Sequence, residues 1–256
     1  MRNLIFRVLL FFPIIIWGDL RAQALPLEAG QSSWLAGILC GGNLTSSNAN
    51  TLGGWGHFSL GAKAALAHPS IMGTAVTAKG FSATFRTGVY SGLNLGPAMH
   101  GFGSVDLYLE AGGLFANGRI SEDAGIWGTG ARIGFLRNSI MTPAVSLSVG
   151  YHSLGKMALG SVASSQFPVS QKNDLSTLAL RVDVSKNFFW FTPGAGIGLN
   201  RNSLTHSLDR AEFEVKETES VYYAGVELNF LIFRLGLELG RTGGETFGSL
   251  GLRVAN

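Results

Sequence analysis

The residues able to do chemistry are few and far apart. Five histidines, His57, His68, His100, His152 and His206, stand beside a single cysteine, Cys40. A metal site needs three or four ligands at close, defined spacing, which these residues do not offer, and a lone cysteine cannot form a disulfide within its own chain. Tyr151-His152-Ser153 sets a base next to a hydroxyl. Nucleophilic catalysis requires those two groups within hydrogen-bond reach, whereas neighbours along a strand point to opposite faces. His206 and Asp209, in a polar stretch, form a second candidate base and orienter, of a kind that is ordinarily solvated. Gly194-Ala195-Gly196-Ile197-Gly198 lacks the glycine spacing of a dinucleotide fingerprint and sits within a strand pattern. The sequence therefore predicts no metal, no cofactor and no enzymatic activity.

What it does hold is a set of isolated charges inside apolar stretches. Lys63, Arg86, Arg132, Arg181, Arg234 and Arg253 are set against Asp106, Glu110, Asp183, Glu227 and Glu238. The apolar residues around them recur at period two. Val105, Leu107, Leu109 and Ala111 alternate with Ser104, Asp106, Tyr108 and Glu110; Leu178, Leu180, Val182 and Val184 oppose Thr177, Arg181 and Asp183; Leu235, Leu237 and Leu239 oppose Arg234, Gly236 and Glu238. That period marks strands with unlike faces. A separate acidic group, Glu212, Glu214, Glu217 and Glu219, falls in the polar stretch from Arg201 to Glu219, read as an external loop and a candidate cation or adhesion surface.

Ten segments carry the alternation: His57 to Ala67, Gly80 to Tyr90, Gly103 to Phe115, Ile126 to Phe135, Pro143 to His152, Asp174 to Ser185, Phe189 to Asn200, Ser220 to Asn229, Leu231 to Gly240 and Glu245 to Val254. Each is close to the length at which a tilted strand crosses a bilayer. At the N-terminus, Arg2 and Arg7 precede an apolar run from Val8 to Trp17, and Ala22-Gln23-Ala24 follows, the pattern of a cleaved export signal over residues 1–24. Residues 25–56, rich in Ser, Gly and Asn, read as an N-terminal lead or plug, and 57–256 as the strand domain. The chain has 19 basic and 16 acidic residues; removing Arg2, Arg7, Arg21 and Asp19 with the signal leaves a near-neutral balance that gives no reason to expect a nucleic-acid partner. With 36 glycines, 14% charged and 46% hydrophobic residues, and no later apolar run long enough for a spanning helix, the composition suits strands closed in lipid. The predicted fold is all-β, an antiparallel up-and-down transmembrane β-barrel of about ten strands, with eight to twelve as the range. A soluble sandwich burying the same faces against a second sheet is the rival.

The connections alternate between short turns, such as Lys186-Asn187-Phe188 and Asn229-Phe230, and longer polar segments such as Leu154 to Asn173. Aromatics near strand ends, including Tyr90, Phe115, Trp127, Phe135, Tyr151, Phe189, Trp190, Phe191, Tyr222 and Phe233, occupy girdle positions. In Gly103-Ser104-Val105-Asp106-Leu107-Tyr108, Gly128-Thr129-Gly130-Ala131-Arg132-Ile133-Gly134 and Gly248-Ser249-Leu250-Gly251-Leu252-Arg253-Val254 the chain resembles the small bacterial outer-membrane β-barrel proteins of the OmpA/OmpX type. The resemblance covers nearly all of residues 54–254 in pattern. It implies an outer-membrane location, with membrane lipids and the barrel assembly machinery as partners, and assigns no activity. Such barrels commonly close on a terminal aromatic, whereas this sequence ends Val254-Ala255-Asn256.

With the apolar faces outward, the eleven isolated charges line a lumen that side chains can fill, and they must pair there or be desolvated alone. A structural or surface-interacting barrel with a salt-bridged lumen is the first functional expectation. A narrow porin-like channel for small polar solutes is the alternative, and a lipid- or peptide-processing enzyme of the outer membrane is a more distant one.

Overall fold

The computed structural model describes residues 48–67, 70–71, 74–75, 77–96, 101–117, 124–157, 171–208, 211–243 and 245–255. The expected signal peptide and Cys40 lie outside them. In chain order the strands are β1 (Phe58–Ala67), β2 (Ser70–Ile71), β3 (Thr74–Ala75), β4 (Thr77–Tyr90), β5 (Ser104–Asn117), β6 (Ala124–Leu136), β7 (Ala144–Met157), β8 (Gln171–Ser185), β9 (Phe191–Leu208), β10 (Ala211–Phe230), β11 (Phe233–Thr242) and β12 (Glu245–Ala255). Apart from the two-residue ribbon β2–β3, each strand pairs antiparallel with its chain neighbour, and β1 closes the ring on β12 from Ser59↔Ala255 to Ala67↔Phe247. The product is the expected ten-stranded up-and-down barrel. Closure gives each of the ten barrel strands two partners, so the barrel sheet has no open edge.

Period two sorts the side chains inside out relative to a soluble domain. Leu107, Leu109, Leu178, Leu180, Ile197, Leu237 and Leu252 stand exposed on the outer wall, while Arg86, Asp106, Arg132, Asp183, Glu227 and Arg253 are buried inside. Outward Trp127, Tyr151 and Tyr222 lie toward one rim, with the Trp127 and Tyr151 rings 5.5 Å apart, and outward Tyr90, Phe135 and Phe233 lie toward the other. We call the end carrying Phe58 and Ala255 the near end, and its opposite the far end. In an even-stranded bacterial barrel the end with both termini faces the periplasm.

Besides shifts of a few residues at strand ends, such as β7 running on to Met157 and β8 starting at Gln171 within the expected Leu154 to Asn173 loop, two connections differ from the sequence reading. The stretch from Arg201 to Glu219, expected as a loop, is strand: β9 and β10 continue past the apolar wall with pairs such as Arg201↔Thr218 and Ser207↔Glu212. Hydrophobic alternation ends where the wall ends, but backbone pairing does not, so Glu212, Glu214, Glu217 and Glu219 sit on β10 and not in a loop. The tight turn is also displaced. Phe230 pairs with Phe233, so the connection is Leu231–Ile232 and not Asn229-Phe230, and Leu231 takes the left-handed conformation (φ 54°) that such a turn demands.

Large inward side chains need room in so narrow a barrel. A Cβ on Gly130 or Gly150, on β6 and β7, would run into the Tyr108 ring and hydroxyl from β5. The glycines are the space in which that ring lies, a steric role for residues that otherwise weaken strands.

Candidate functional site: the charged lumen

All eleven charges predicted to face inward do so. Ten are buried; Arg234, at the near-end rim, keeps about a third of its side chain exposed (35%). They form clusters at successive heights.

At the near end, two arginines bond residues 48–52 directly and a third reaches them through Glu227. Arg253 from β12 donates from Nε and Nη2 to the Glu227 carboxylate of β10, both at 2.8 Å, with Arg234 at 3.7 Å. The same carboxylate accepts the Asn48 side-chain amide at 2.7 Å. Arg132 from β6 donates to the Asn48 carbonyl, to Ser148 Oγ at 3.0 Å and to Asp183 at 3.4 Å. Arg86 from β4 donates to the Asn50 carbonyl at 2.7 Å and from Nε to Asp106 at 2.9 Å, while Asp106 also accepts the Leu52 backbone N–H at 2.9 Å. Ala49 N–H reaches Ser185 Oγ at 2.9 Å, and Thr51 and Ser104 share a hydroxyl contact of 2.7 Å.

Residues 48–52 therefore run across the near-end mouth from β4 and β5 to β8 and β10, each tied to the wall. Buried strap peptide groups meet guanidinium, carboxylate and hydroxyl partners, which is what a buried backbone requires. Charge-assisted hydrogen bonds are the stronger kind. Residues 25–56 were expected as a lead or plug; the described part, 48–56, includes this strap.

The middle of the lumen is packed by aromatics and a histidine. Tyr223 on β10 donates to Asp183, and the Arg181 guanidinium lies 5.2 Å from the Tyr223 ring centre. His152 on β7 lies with Nε2 3.2 Å from Glu110 and its ring 6.3 Å from that of Tyr108. His152 is buried while Ser153 belongs to the other face, so the two do not share a site. Lys63, Ser82 and Glu110 border one void with room for about one water, and Tyr108, Ser148, His152 and Arg181 border another. Nearer the far end, Asn202 donates to Glu219 at 3.1 Å and accepts from Thr177 at 2.9 Å. Glu219, expected on an external loop, is thus a lumen residue. Glu214 is exposed, paired with Lys216 at 2.7 Å, and Glu217 is half-buried.

Sequence reasoning found the charges and missed several of the side chains that partner them. Ser148, His152 and Tyr223 share the inward parity of the charged residues, and a scan of parity instead of charge would have found them. Asn48 has no such signal, because its segment has no period.

No family model matches the sequence, and no curated relative does. Among solved structures the fold is similar to the translocator domain of the autotransporter NalP from Neisseria meningitidis, with a TM-score of 0.50, 9% identity, and 93% of this chain and 95% of that one covered. It is similar as well to an outer membrane channel from Pseudomonas putida F1 (TM-score 0.45, 10% identity, 82% and 98% covered) and to Neisserial surface protein A (TM-score 0.37, 15% identity, 78% and 98% covered). At these identities the likeness concerns the fold: a closed antiparallel barrel of the outer-membrane type.

Proposed function

We propose that this protein is an outer-membrane barrel with a closed lumen, acting as a structural or surface-contact element of the envelope and not as an open pore. The observation that carries this reading is the strap of residues 48–52, held across the near-end mouth by Arg86, Arg132, Asp106 and Glu227. A passive channel needs a continuous wet path, and here the polar groups that would line it are spent on one another and on the strap. The apolar outer wall supports the membrane location, since among the described residues no second sheet covers it and its strands are closed so that no backbone edge meets lipid. The extension of β9 and β10 beyond that wall, with Glu214 and Lys216 toward solvent, supports contacts outside the cell. No catalytic role enters the reading: His152 is sealed in the lumen against Glu110.

The test is fractionation of expressing cells, gel migration of the membrane fraction with and without boiling, and conductance of the purified protein in planar bilayers. The reading expects outer-membrane recovery, heat-modifiable migration and electrically silent bilayers. Steady open-channel conductance from the intact chain would replace it with the channel reading, and recovery in the soluble fraction would remove both.

A further inference from the structure

Three of the four near-end connections carry exposed apolar side chains at their tips, where turns facing water are polar. Ile140 and Met141 (96% and 91% exposed) top the β6–β7 connection, Phe189 and Trp190 (100% and 57%) the β8–β9 connection, and Leu231 and Ile232 (103% and 55%) the β10–β11 connection. We propose that these three turns are immersed in the periplasmic leaflet of the membrane, in direct contact with phospholipid at the boundary between headgroups and acyl chains. The inference rests on the membrane reading above and goes beyond it in placing connections, and not only strands, within the lipid.

Three observations support it. The first is height. On β9 the outward apolar run from Phe191 to Leu199 covers about 26 Å of strand, or about 20 Å along the axis at a tilt of about 40°. On β11, Phe233 to Leu239 gives only about 15 Å by the same reckoning. Barrels of this type present an apolar band of about 25 Å. The shortfall cannot be met at the far end, where the next outward residues are Arg201, Ser220 and Arg241. It can be met at the near end of β9 and β11, where Phe189 and Trp190 run on from Phe191, and Leu231 and Ile232 from Phe233, without a polar residue between.

The second is backbone satisfaction. Lipid offers no hydrogen bonds, so polar groups entering it must be paired within the protein. In the β6–β7 turn, Ser139 N–H bonds the Thr142 carbonyl at 3.0 Å, and Ser139 Oγ accepts from the N–H groups of Met141 and Thr142 at 3.3 and 3.1 Å. Lys186 from the next connection folds its ammonium onto the carbonyls of Ser139, Ile140 and Thr142 at 2.7, 2.9 and 3.2 Å. A lysine at a water-facing turn would extend into solvent; this one is spent on carbonyls. Phe188 and Phe191 bond each other in both directions at 2.8 and 2.9 Å, the Trp190 carbonyl accepts from Asn229 at 2.8 Å, and the Ile232 carbonyl accepts from Ala255 at 3.2 Å.

The third is stiffness. Those same bonds tie each turn to the next strand end, so the apolar tips are held on a continuous rim. Phe189 and Leu231 are held at positive φ, a conformation that glycine or asparagine fits better. Large apolar side chains at these tips serve lipid contact, for which glycine or asparagine would be useless.

The experiment uses the full chain with Cys40→Ser. Leu231→Cys and Met141→Cys carry an environment-sensitive fluorophore, with Leu237→Cys on the outer wall and Lys216→Cys on the β10 extension as references. Each is placed in phosphatidylcholine vesicles containing acyl-brominated lipid, with iodide present on both sides as the aqueous quencher. Immersion predicts that positions 231 and 141 are quenched by brominated lipid at least about half as strongly as 237 and are several-fold less open to iodide than 216. Met141→Cys stands in if the strained Leu231 position folds poorly. Iodide access equal to that at 216 overturns the proposal. Protection from both quenchers overturns it too, since a protein surface would then cover the tips. If 237 also escapes lipid quenching, the barrel is not in the bilayer, and the membrane reading fails before this one.

Discussion

Glu227→Gln is the sharpest probe of the lumen, because one carboxylate there holds both a strand pair and the strap. Glu227 is 1% exposed, and it accepts two hydrogen bonds from buried Arg253 and one from Asn48. Glutamine keeps the shape, removes the charge, and leaves a buried guanidinium facing an amide that itself carries donors. Breaking one side of a buried ion pair costs about 3–5 kcal/mol. Arg234 beside it is partly hydrated, so water reaches this rim and the lower end, about 3 kcal/mol, applies. That is a change of about 150-fold in the unfolding equilibrium. The measurement is urea unfolding of the vesicle-embedded protein by tryptophan fluorescence for Glu227→Gln, Arg253→Met and the double variant. The double variant should cost less than the sum of the singles by about 2 kcal/mol, since it leaves no orphan charge. A loss under about 1 kcal/mol for Glu227→Gln, or strict additivity, would show that the pair is solvated. The strap would then not be sealing the mouth.

Two further expectations concern packing and the rim. Gly150→Ala places a methyl group against the Tyr108 hydroxyl and should cost about 1–3 kcal/mol in the same unfolding assay, with Tyr108→Phe in the same chain recovering most of the loss; no recovery would mean that backbone, not ring, sets the limit. Lys186→Met removes the ammonium from three carbonyls of the neighbouring turn, so amide hydrogen exchange should rise at residues 139–142 and stay unchanged at β11, whereas unaltered exchange would show that the turn is held by Ser139 alone.

The fold was legible because lipid constrains one face of every strand. Outward positions must be apolar for some nine to eleven residues running, and a sequence that meets this ten times has few other ways to fold. The direction of each charge was legible for the same reason, since parity alone sends Asp106, Arg132 and Asp183 inward. Which charges meet was not. Arg181 and Asp183 share a strand and a face two residues apart, yet Asp183 takes Arg132 from β6 and the hydroxyl of Tyr223 from β10, while Arg181 lies against the ring of Tyr223. Those partners depend on the stagger between strands and on reach across the lumen, and neither is written in local sequence. Asn48 was invisible for a different reason: its contacts run through its own carbonyl and one amide, which any polar segment could offer.

The two ends of the barrel answer different demands, and the difference follows from its width. Ten strands enclose an interior wider than small polar side chains can fill, so the middle is filled by Tyr108, Tyr223, His152 and Arg181, with glycines opposite to receive the rings. Beyond that layer the near-end mouth still needs material, and the strap is the segment covalently able to supply it, because it leads directly into β1. Its entry places the chain just inside the rim whose outer surface bears the apolar turns. The near end thus excludes water twice, by hydrogen-bonded strap within and by apolar side chains without. The far end does neither in its β9–β10 extension, where strand continues with polar residues outward and the backbone stays paired. On the reading proposed above, a barrel built this way is fixed at its periplasmic end and presents a polar strand extension to the outside, which is the arrangement a contact element of the envelope requires and an open pore does not.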